Sequence, residues 1–64
     1  MIYKFECNEI ENSVMEVELR SDLSSDYVSF TIEYPKDIPL SIFLSKKDVY
    51  HLVGALHLIQ KEMK

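Results

Sequence analysis

A chain of 64 residues with 47% hydrophobic side chains, one glycine and two prolines has the composition of a single folded domain, residues 1–64, and excludes a disordered tail. Its 11 acidic and 7 basic residues leave a formal net charge of −4, a balance that repels phosphate and makes nucleic acid an unlikely partner. One cysteine, Cys7, excludes an internal disulfide, so the expected setting is reducing and cytoplasmic.

The first element is read in "IYKFEC", where Tyr3, Phe5 and Cys7 share one face of a strand and Lys4 and Glu6 the other. Cys7 is then expected to be a small core residue. In "VMEVELR", Met15, Val17 and Leu19 alternate with Glu16, Glu18 and Arg20, the pattern of a half-buried strand. In "YVSFTIEY", Val28, Phe30, Ile32 and Tyr34 alternate with Tyr27, Ser29, Thr31 and Glu33. A fourth strand, "IPLSIFLS", sends Leu40, Ile42 and Leu44 one way and Ser41 and Phe43 the other, with Pro39 tolerable only at its start or on an edge. The connections "NEIENS", "SDLSSD" and "PKDI" are short, polar and rich in turn formers, so the strands pair as an antiparallel meander.

Ser45 reads as a helix N-cap with Asp48 in the acidic position of a capping box, opening a helix from about Lys46 to Met63. Val49, Leu52, Val53, Leu56, Ile59 and Met63 form the stripe expected to cover the apolar sheet face. The expected fold is therefore α+β: a four-stranded antiparallel meander with one C-terminal helix packed on one face, in two layers.

The helix carries more apolar residues than that stripe needs. Tyr50, Gly54, His57, Leu58 and Lys61 cluster on another side, and a mid-helix glycine costs about 1 kcal/mol relative to alanine. These residues are compatible with an ordinary solvated helix surface. They are read here as a self-association surface, because a domain this small buries only about 60% of its unfolded surface and gains from dimerising. The sheet face away from the helix carries Glu16, Glu18, Tyr27, Glu33 and Phe43, an acidic surface with exposed aromatics suited to a protein partner with a basic surface.

Dedicated chemistry is missing from the pattern. His51 and His57 stand about 120° apart around the helix, too far round it to share a metal ion. There is no glycine-rich phosphate loop, calcium-loop register or base placed for Cys7, so no catalytic residue, metal or cofactor is expected. No stretch approaches the roughly 20 apolar residues of a membrane span, and "MIYKFECNEI" lacks the apolar core of a signal peptide, so a soluble, unprocessed chain is expected.

The order of four strands and one long helix, opening with "LSKKD", resembles the repeat unit of the transcriptional coactivator PC4, Whirly and PUR families of single-stranded nucleic-acid binders. The likeness covers most of the chain at the level of element order. It implies units paired through their helices and a nucleic-acid site on the sheet, which would fall on Lys4, Arg20, Tyr27 and Phe43. On that face, however, the two cations are outnumbered by Glu6, Glu16, Glu18 and Glu33. The leading expectation is thus a non-catalytic intracellular protein-binding module, a small inhibitor or accessory factor, homodimeric through its helix. The alternative is a single-stranded nucleic-acid-binding protein.

Overall fold

Alternation of apolar and polar residues drives the front of the chain into strands, and a 3.6-residue period drives its end into a helix. The computed structural model describes residues 1–22 and 24–64. It contains β1 (Ile2–Glu6), β2 (Val14–Ser21), β3 (Asp26–Glu33), β4 (Leu40–Ser45) and α1 (Lys46–Glu62). The strands form one antiparallel sheet in the order β1-β2-β3-β4, the expected ββββα meander.

Register decides which side chains share a face. Phe5, Met15, Ile32 and Leu40 stand in one cross-strand row, Tyr3, Val17, Phe30 and Ile42 in the next, and Leu19, Val28 and Leu44 in a third. A slip by one residue would move all three rows to the other face, so this apolar side fixes the pairing. Pro39 lies just before β4, an edge strand, where its missing N–H breaks no ladder.

The first turn closes with the Cys7 N–H donating to the Ser13 carbonyl at 2.9 Å, and Asn12 takes a left-handed conformation (φ 62°) that asparagine tolerates well. Cys7 lies beyond the end of β1 and is exposed, which corrects its expected place in the core. The turn draws it out of the strand: its Sγ accepts a hydrogen bond from the Ile10 N–H at 3.3 Å. In the second turn the Asp22 carboxylate accepts from the Ser24 N–H (2.8 Å), the Ser24 hydroxyl (3.1 Å) and the Ser25 N–H (3.2 Å). The polar turn expected over residues 21–26 includes Leu23, which lies outside the described residues.

Ser45 is both the last residue of β4 and the N-cap of α1. Its hydroxyl accepts from the Asp48 N–H at 3.4 Å and donates to the Asp48 carboxylate at 3.2 Å. With no residue between strand and helix, α1 is pinned at the sheet edge where it begins. Its backbone comes close to β3 and β4 and to no other strand. Val49 and Leu52 are half-buried against the sheet, while Val53, Leu56, Ile59 and Met63, expected to complete the stripe, are exposed. The helix packs on the apolar face but leaves much of that face bare. Among the described residues no hydrophobic side chain is fully buried.

Candidate functional site

Three surfaces concentrate the residues that are available for contact. The first is an apolar groove between sheet and helix. Tyr3 and Phe5 from β1, Met15 and Val17 from β2, and Val28 and Phe30 from β3 line its floor, and Val49, Leu52, Val53 and Leu56 its helical wall. Phe5 is 54% exposed and Leu56 53%, values at odds with a finished core. Ten apolar side chains from three strands and the helix thus border one groove that the chain itself leaves open. The groove is not legible in the sequence, where strand alternation and the helix stripe satisfy each other in number. The signal that could have found it is Ser45, which serves strand and helix at once and so leaves no loop to swing the helix across the sheet.

The second surface is the outer side of the helix, where Tyr50, Gly54, His57, Leu58 and Lys61 are all exposed and lie together. The Tyr50 ring sits beside that of His51, with centroids 6.2 Å apart. A methyl group added at Gly54 would meet open space, so nothing within the chain accounts for the glycine. Tyr50 and Leu58 flank it one turn to either side, 78% and 64% exposed.

The polar sheet face is the third. Lys4 pairs with Glu16 at 3.3 Å and Arg20 with Glu18 at 3.2 Å. Exposed pairs like these contribute at most about 1 kcal/mol to stability, but they decide the charge that the face presents. Both cations of the face are engaged, while Glu6 and Glu33 have no ion-pair partner among the described residues. Thr31 and Ser41, opposite each other, share a 2.9 Å hydrogen bond between hydroxyls. Tyr27 and Phe43 meet edge to face with ring centroids 5.7 Å apart, an arrangement that aromatic quadrupoles favour. In register, Glu18, Ser29 and Phe43 form one row and Arg20, Tyr27 and Ser45 the next, so the aromatic pair and Glu18 lie together. Glu16 stands one row further along. Glu33 is six residues from Tyr27 on β3, about 20 Å at the strand rise, and belongs to a separate acidic corner with Glu6. The five residues read as one partner site therefore divide into an aromatic end and an acidic corner.

Two groups are tuned by their turns. Backbone N–H groups of Glu9 and Ile10 hold the Cys7 thiol below its ordinary value, and those of Ser24 and Ser25, with the Ser24 hydroxyl, do the same for the Asp22 carboxyl. Among the described residues no three His, Cys, Asp or Glu side chains gather closely enough to hold a metal ion. No described helix is long and apolar enough to cross a membrane. No protein-family model, curated protein or solved structure matches this chain.

Proposed function

We propose that this chain is a non-catalytic protein-binding module that works as a homodimer through its helix and offers its polar sheet face to a partner with a basic surface. A small inhibitor or accessory factor acting by occupancy fits this description. The observation that carries the reading is the absence of any fully buried hydrophobic side chain among the described residues, which leaves a folded chain in need of another protein surface.

The charge arrangement on the polar face favours a basic protein over nucleic acid. Lys4 and Arg20 are already paired with carboxylates, so a phosphate backbone would have to displace Glu16 and Glu18 to reach them. An arginine- or lysine-rich segment meets unpaired Glu6 and Glu33 at one end and the Tyr27–Phe43 pair at the other, where cation–π contact adds to attraction.

The test is parallel titration of the protein with a labelled lysine- and arginine-rich peptide and with a labelled single-stranded oligonucleotide, each at two salt concentrations. The peptide is expected to bind, more weakly at high salt, and Phe43→Ala with Glu33→Gln to reduce that binding. Salt-sensitive binding of the oligonucleotide and none of the peptide would overturn the proposal in favour of a nucleic-acid role.

A further inference from the structure

We infer that a second copy of this chain closes the apolar groove face to face, its helix lying over the bare β1–β2 half of the sheet so that two sheets enclose two helices. This rests on the homodimer proposed above and names the surfaces that meet. The outer helix residues Tyr50 and Leu58 of each copy face the other copy's Tyr3, Phe5, Met15 and Val17.

Surface area supports such a pair. A folded monomer of 7.5 kDa exposes about 4,200 Å² by the usual scaling of surface with mass, whereas this chain exposes 6059 Å². The excess of about 1,800 Å² per chain amounts to about 3,600 Å² for a pair, within the roughly 2,000–5,000 Å² of obligate homodimers. A standard contact, about 800 Å² per partner, would leave more than half of the excess in water. Shape agrees with area: the radius of gyration is 13.5 Å, where a compact chain of this length has about 10.7 Å. The backbone forms a slab of 37 × 32 × 17 Å, flatter than a compact globule.

The chain is also complementary to itself. The sheet lacks a helix over β1 and β2, and the helix carries exposed Tyr50 and Leu58 on an outer side without a sheet. A twofold axis satisfies both needs with one pair of surfaces, because each copy supplies what the other lacks. Apolar residues on both sides of a helix suit a position between two sheets. The open space beside Gly54 then admits the partner's side chains at close range.

The test combines solution mass by light scattering for the wild type, Leu58→Glu and Phe5→Lys with isotope-filtered NOEs on an equal mixture of labelled and unlabelled wild type. The expected result is a mass twice the 7.5 kDa of one chain. Each variant should raise the dissociation constant about a hundredfold or more, since a charge then enters an apolar contact. Intermolecular NOEs should join the Leu58 methyls to the rings of Tyr3 and Phe5. Should a variant fail to fold, the wild-type NOEs decide. A dimer with intermolecular NOEs only from helix to helix, unaffected by Phe5→Lys, would overturn this inference and leave the proposed homodimer standing. A monomer at every concentration would overturn both.

Discussion

Leu58→Ala offers a clean reading of the outer helix face. Leu58 is 64% exposed in the single chain and lies on the side of the helix away from the sheet, so truncating it removes little from the chain's own packing. Alanine also has a slightly better helix propensity than leucine, and surface substitutions of this kind alter stability by about 0.5 kcal/mol or less. In the proposed dimer the effect is larger. Burying a leucine fully is worth about 1.5–3 kcal/mol, and a partner that covers the exposed two-thirds withdraws about 1–2 kcal/mol of this from water. A symmetric pair has two such sites, so the loss is about 2–4 kcal/mol, or about a 30- to 1,000-fold rise in the dissociation constant. Sedimentation equilibrium measures that constant directly. A change of less than about threefold, with wild-type helicity retained, would refute the claim that Leu58 is covered by another chain.

Gly54→Ala separates a crowded glycine from an idle one. If a partner packs close to the helix there, the added methyl weakens the dimer in sedimentation equilibrium even though it favours the isolated helix by about 1 kcal/mol; a tighter or unchanged dimer would contradict close approach. Ser45→Ala removes the hydroxyl that caps α1 and is expected to cost about 1 kcal/mol, lowering the thermal midpoint by about 4–8 °C at fixed protein concentration. Asp22→Ala should destabilise the chain at neutral pH by freeing the Ser24 and Ser25 N–H groups. The folded state lowers the Asp22 pKa from its ordinary 3.8, so the stability it contributes is present above that value and is lost as pH falls through the lowered one. Denaturant midpoints of wild type and Asp22→Ala should therefore converge in strong acid, and a gap that persists there would show that the effect is not electrostatic.

The β-sheet was legible because its strands alternate strictly. Met15, Val17 and Leu19 against Glu16, Glu18 and Arg20 leave one choice of buried face, and that choice fixes the register of the neighbouring strands. The helix start was equally legible, since Ser45 and Asp48 are three residues apart and face each other as a cap requires. Cys7 was misplaced because a strand pattern gives no warning of where pairing stops; the turn that pulls it out is built from backbone hydrogen bonds of Ile10 and Ser13 that no side-chain periodicity encodes. The polar face was read correctly as a set of residues but not as a pattern of charge. Pairing of Lys4 with Glu16 depends on register, and the distance from Tyr27 to Glu33 on strand length. The groove was invisible for a related reason: periodicity tells which side of Val53 and Leu56 is apolar, not whether the chain's own sheet reaches it.

If one copy of this chain does not complete its own core, the thermal midpoint of the wild type across a hundredfold range of concentration, with the mass measured at each point, shows it most directly. A pair that folds as a unit predicts a mass of twice 7.5 kDa and a midpoint that rises with concentration, as mass action requires. A monomer whose midpoint is independent of concentration would contradict it.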